Sequence, residues 1–130
     1  MISTKNIHNN ETILENELSY RNLFNTIEDA IYIQDKEGIF LDVNNGAIKM
    51  YGYNREEFIG QGPDFLSAPG KNDFELIKQK LDDAFNGIPQ QMEFWGKKKD
   101  GTVFLKDVKL YQGIYFGKNV IIAHAQNITK

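Results

Sequence analysis

The sequence predicts an α+β domain built around an antiparallel sheet of about five strands. Three observations carry that expectation. Two β-prone runs at 30–34 and 39–43 flank a Lys36-Glu37-Gly38 turn, the signature of a hairpin. Three further β-prone runs close the chain, two of them joined by Lys99-Asp100-Gly101. Everything between these groups has helical spacing or Pro/Gly punctuation, and 130 residues suit one domain with its own core.

In chain order, residues 1–12 are polar and Asn-rich, with Ile2 and Ile7 as isolated apolar positions, and read as a frayed arm. Over 13–28, Leu14, Leu18, Leu23, Phe24 and Ile27 recur near helical spacing, which predicts an N-terminal amphipathic flanking helix. After the first hairpin, Asn44 or Asn45 can cap a short helix carrying Ala47, Met50 and Tyr51. Asn54 with Glu57 three residues on predicts a second, burying Phe58 and Ile59 and closing at Gly60. Gly62, Pro63, Pro69 and Gly70 mark a loop. A longer helix spans 72–87, with Asn72 as cap, Glu75 in its first turn and a stripe of Phe74, Ile77, Leu81, Ala84 and Phe85 before Gly87. The closing strands fall at 91–98, 102–113 (with 114–116 as extension or loop) and 120–126.

Composition removes several function classes. There is no cysteine, so thiol nucleophiles, zinc-thiolate sites and thiol-linked chromophores are excluded. Fifteen Lys+Arg against eighteen Asp+Glu leave a net charge of −3, and Arg21 and Arg55 are the only arginines, which argues against a nucleic-acid partner. No apolar run reaches the ~20 residues that span a bilayer, so no membrane insertion of this segment is expected and a cytoplasmic location is. Catalysis finds no support. His8 and His124 lie near no recognisable Ser or carboxylate arrangement, and Asp82-Asp83 and Glu56-Glu57 are helix neighbours whose side chains diverge.

Three motifs in order carry a family likeness. The segment Asn44-Asn45-Gly46-Ala47 through Tyr51-Gly52-Tyr53-Asn54-Arg55-Glu56-Glu57-Phe58-Ile59-Gly60 resembles the "N-x-A…GY-x-x-EE-x-x-G" stretch of PAS domains. Lys98-Lys99-Asp100-Gly101-Thr102 is similar to their "R-K-DG-T/S" hairpin, and Gln126-Asn127-Ile128-Thr129 to their closing "R-D-I-T", with Asn127 in place of Asp. The resemblance runs from about Tyr20 to Thr129. It implies a domain over 29–130 with strand order 2-1-5-4-3, short helices on one face, and the flanking helix at 13–28.

The resemblance also implies which strand residues face a cavity. The inner set is Tyr32, Gln34, Val43, Phe94, Gly96, Phe104, Lys106, Val108, Ala123 and Ala125, closed from the helices by Met50, Ile77 and Leu81. Lys106 is the odd member, an ammonium between Phe104 and Val108 on an apolar face. Either it meets, with Tyr32 and Gln34, an anionic or carbonyl-bearing ligand, or it reaches the rim or a carboxylate around a filled core. The cofactor stays open: a small organic ligand fits the reading, and the missing cysteine excludes a covalent flavin adduct. Non-covalent flavin is left open, although Gly96 stands where light-sensing pockets of this kind place a flavin-binding amide. Haem is not expected, because the long helix over 73–86 has no histidine.

The outer face is apolar too. Ile31, Ile33, Trp95, Leu105 and Ile122, with His124 among them, would be covered by the flanking helix, alone or with a second protomer in a homodimer. The resemblance further implies a sensory, non-enzymatic module. Asn127, Ile128 and Thr129 would pass a signal to a C-terminal output domain, most often a histidine kinase or diguanylate cyclase. The alternative is a ligand-free dimerisation and relay module.

Overall fold

The computed structural model describes residues 18–129. The expected arm at 1–12 and the start of the flanking helix, Leu14 included, lie outside them. Helix α1 occupies 18–26, followed by β1 (Ala30–Gln34), β2 (Phe40–Val43), α2 (Asn45–Tyr51), α3 (Arg55–Phe58), a 3-10 turn (Pro63–Leu66), α4 (Phe74–Phe85), β3 (Gln90–Lys97), β4 (Val103–Tyr115) and β5 (Lys118–Asn127). The strands form one antiparallel sheet in the order β2-β1-β5-β4-β3, as predicted.

Local chemistry sets the boundaries. The β1–β2 turn closes through Gly38 at φ +87°, and the Asp35 carboxylate accepts from Glu37 N and Ile39 N, both at 2.9 Å. Asn44 Oδ1 accepts from Ala47 N at 3.0 Å and caps α2, and Gly52 ends it at φ +82°. Asn54 N donates to Glu57 Oε2 at 2.8 Å, the backward half of a capping box.

Three expectations about the helices are corrected. Asp73, not Asn72, caps α4, accepting from Glu75 N and Leu76 N. Asn72 is instead drawn to β3, where its amide accepts from Trp95 N (2.9 Å) and donates to Trp95 O (2.8 Å). Phe74 and Ile59, expected inside, are exposed because they stand at helix termini, Phe74 as the first residue of α4 and Ile59 just past the end of α3. In α1 the buried side chain is Phe24, with Tyr20 half-buried, while Leu18, Leu23 and Ile27 face outward. Tyr20 and Phe24, one turn apart, stack at 5.2 Å and turn a flat aromatic surface to the sheet.

The two sheet faces are covered differently. The main core lies between the inner face and α2, α3 and α4, and includes Tyr32, Phe40, Val43, Tyr51, Phe58, Ile77, Leu81, Phe94, Phe104 and Val108. On the back, Phe24 packs with Ile33 and Val120, and Tyr20, Ile31, Leu41, Tyr115 and Ile122 border them. Two polar residues tie α1 to this frame. Asn44 Nδ2 donates to the carbonyls of Phe24, Ile27 and Asp29, and its Oδ1 also accepts from Ile31 N at 2.8 Å. The buried Asp42 carboxylate takes Arg21 and Arg55, each at 2.8 Å, together with the Tyr115 hydroxyl.

Candidate functional site

Strand alternation places Tyr32, Gln34, Phe94, Lys106, Val108 and Ala123 on the inner face. There they line a cavity of about 30 Å³ with Ile77 and Leu81 of α4. Phe40, Pro63, Leu66, Met92 and Leu110 complete the wall. Met92 and Leu110 continue the alternation through Phe94 and Val108, so extending the pattern two residues along each strand would have found them. Phe40 is brought in by a register shift between Ile33 and Gln34, which sets Gln34 opposite Phe40. Pro63 and Leu66 belong to the 3-10 turn, where no periodic signal exists.

Val43, Met50 and Ala125, expected in the wall, stand outside it. Val43 is buried in the core just before the Asn44 cap. Met50 Sδ accepts from the Tyr32 hydroxyl at 3.6 Å, and Met50 and Ala125 border a separate surface groove with Gln126, Asn127 and Ile128. At Gly96 the space is filled. A methyl group there would lie 2.8 Å from the Phe104 ring and press on the Tyr51 hydroxyl, so the site lacks room for an amide side chain.

Lys106 is the unusual group. It is 4% exposed, and its Nζ lies 4.5, 4.7 and 4.9 Å from the ring centres of Tyr32, Tyr51 and Phe94. Among the described residues no carboxylate or other acceptor reaches it. Phe94 is its direct cross-strand partner, which explains that contact. Ring faces attract an ammonium but replace water poorly. Burial therefore pushes the Lys106 pKa down to about 7. The same burial drives the phenols of Tyr32 and Tyr51 up, away from ionisation. Gln34 Nε2 is held by the Gly38 carbonyl at 2.8 Å, so the second polar group of the cavity is fixed by the β1–β2 turn.

The back-face residues divide in two. Ile31, Ile33 and Ile122 lie beneath α1. Trp95, Leu105 and His124 do not join that cluster: Lys71 stands 4.8 Å over the Trp95 ring, and His124 Nε2 is 3.0 Å from Asp29 Oδ2. At the chain's end Asn127 Oδ1 accepts from Thr129 N at 2.9 Å. Ile128 N donates to Leu105 O, and Thr129 Oγ1 both accepts from Leu105 N and donates to Leu105 O. The neutral Asn127 thus makes a local turn in which no ion pair takes part. Among the described residues there is no cluster of metal-ligating groups, and no helix is long and apolar enough to cross a membrane.

Short helices on one face of a five-stranded antiparallel sheet thus enclose a small cavity, and α1 packs on part of the opposite face. The sequence model of the PAS domain matches residues 28–130, and the chain belongs to that family. It is 31% identical over 113 residues to Two-component system protein A of Emericella nidulans, covering 86% of this chain and 16% of that protein. It is 26% identical over 135 residues to the Methyl sulfide methyltransferase-associated sensor of Methanosarcina acetivorans, covering 99% of this chain and 13% of that protein. The chain therefore spans less than a fifth of these relatives. The PAS domain of an HTR-like protein from Haloarcula marismortui superposes with a TM-score of 0.78 at 20% identity, over 93% of this chain and 98% of that one.

Proposed function

We propose that this module senses a small ligand held in the cavity beneath Lys106 and relays its presence to a C-terminal output domain. The observation that carries this is the buried lysine, which has no anionic partner among the described residues and faces a space whose other polar groups are Gln34 and the Tyr32 phenol. An apolar side chain would be more stable there, so the charge is best explained by what it meets. Relay runs through Leu105, the residue before Lys106. Its two backbone groups hold Ile128 and Thr129, so a shift of the lysine backbone moves the chain where it leaves the sheet. The relatives named as a two-component protein and a sensor support a signalling context; within it we take the output to be a histidine kinase or diguanylate cyclase, the module to be cytoplasmic, and a second protomer to cover Trp95 and Leu105.

A second reading is favoured by size. A water needs at least ~10–15 Å³ of such space, and drug-sized ligands occupy ~300–1,000 Å³; at about 30 Å³ the cavity suits two or three small groups, or none in a ligand-free dimerisation and relay module. Native mass spectrometry with an absorption spectrum of the purified protein separates the two. A bound mass or visible band supports sensing; a bare mass, with dimerisation rising with concentration, supports relay.

A further inference from the structure

Three residues of the cavity wall, Pro63, Ile77 and Leu81, also line a groove of about 490 Å³ between α4 and the β1–β2 turn. They form a thin partition between an inner space that holds a cation and an outer one open to solvent. Ile77 and Leu81 are flexible side chains, whereas Gly38 packs so closely that an added methyl would lie 2.9 Å from Leu81 and 3.2 Å from Pro63.

Resting on the ligand-sensing reading, we propose that the ligand class is a short aliphatic monocarboxylate, its head paired with Lys106 and its tail directed between Ile77 and Leu81 toward the groove. The cavity selects for this chemistry in three ways. One cation, with no second basic group in the wall, balances one negative charge, so a phosphate or dicarboxylate would remain unneutralised. Apart from Gln34 and the Tyr32 phenol the remaining wall is apolar, which suits an alkyl tail. A volume of about 30 Å³ accepts only a few heavy atoms before the partition has to part.

Proton uptake should accompany binding. The groups facing Lys106 are the phenols of Tyr32 on β1 and Tyr51 on α2, both held neutral by burial. Phe94 on β3, Asn127 on β5, and Ile77 and Leu81 on α4 carry no charge, and Lys78 and Asp82 stand on the groove side. Lys106 is thus the titrating group in the cavity, and only its protonated form pairs with an anion.

The test uses the purified chain with sodium formate, acetate, propionate and butyrate, chloride-matched, and acetamide and propionamide as neutral counterparts. Melting temperature and calorimetric Kd are measured from pH 6 to 9. A carboxylate should raise the melting temperature where its amide does not, with Kd weakening about tenfold per unit above pH 7. Lys106→Met and Lys106→Gln should both lose the effect. Equal responses to acid and amide, a flat pH profile, or an unchanged response in the variants overturns the proposal. Binding of the amides alone would leave the sensing reading standing while ending this one. No binding across the panel, with a bare native mass, ends both.

Discussion

Arg21 on α1 and Asp42 on β2 meet at 2.8 Å, joining the flanking helix to a carboxylate that has no exposed surface. Arg55 reaches the other oxygen at 2.8 Å, so the chain's two arginines converge on one acid. The hydrogen bond to Asp42 and that carboxylate's charge raise the Arg55 pKa, while burial and the same acid raise that of Tyr115. Each arginine is the other's substitute. Arg21→Ala and Arg55→Ala should each cost about 1 kcal/mol, but the double variant about 3 kcal/mol or more, because a buried carboxylate is then left without a cation. Urea unfolding of the four proteins gives the coupling energy; simple additivity would refute it.

Asn44 should be less tolerant. It satisfies five backbone groups from α1, the α1–β1 link, β1 and α2. Asn44→Ala removes a helix cap and orphans several buried groups, a loss of about 3–5 kcal/mol. Asn44→Asp keeps the cap acceptor yet aims an oxygen at three carbonyls, so it should recover little. Thermal unfolding of both variants checks this; rescue by Asp would mean that capping alone matters.

Lys106 predicts a particular pH dependence of stability. Its pKa is pushed from 10.5 to about 7 on folding, so between those values the unfolded chain binds the extra proton. Its unfavourable effect is full at and below pH 7 and fades as pH rises toward 10.5. Relative to Lys106→Met, the unaltered protein should gain up to about 1.4 kcal/mol per pH unit from pH 7 upward, measured by chemical denaturation. Parallel curves for the two proteins would contradict a buried, unpaired amine.

Two glycines contrast. A methyl group on Gly46 would strike the backbone carbonyls of Glu28 and Asp29, which cannot turn aside. Gly101, at φ +93°, has nothing within 4 Å of the added carbon. Gly46→Ala should therefore cost more than about 2 kcal/mol through overpacking, and Gly101→Ala about 1 kcal/mol through backbone strain. Equal losses would mean that α2 shifts freely on the α1–β1 link.

What was legible in the sequence followed from local signals. Strand alternation and the Gly38 and Asp100-Gly101 turns specify register, and with it the shared face of Tyr32, Gln34 and Lys106. Where two candidates stood side by side, as Asn72 and Asp73, spacing could not tell which would be claimed by Trp95 across 23 residues. The burial of Tyr20 in place of Leu18 and Leu23 depends on Tyr115 and Phe116, nearly a hundred residues on. The Asp42 cluster draws on positions 21, 42, 55 and 115, which no periodicity links. Pro63 and Leu66 reach the cavity from a segment without repeat.

The segment between α3 and α4 touches both margins of the sheet. Gly60 and Gln61 bond the backbone of Phe40 on β2, while Ala68 and Asn72 bond that of Trp95 on β3. One stretch of chain thus occupies outward-pointing amide and carbonyl groups on each rim, where an invading strand would otherwise zip on. At these two points a strand adding to either rim would first have to displace the α3–α4 segment, so the same stretch that closes over the core also guards the edges of the ladder.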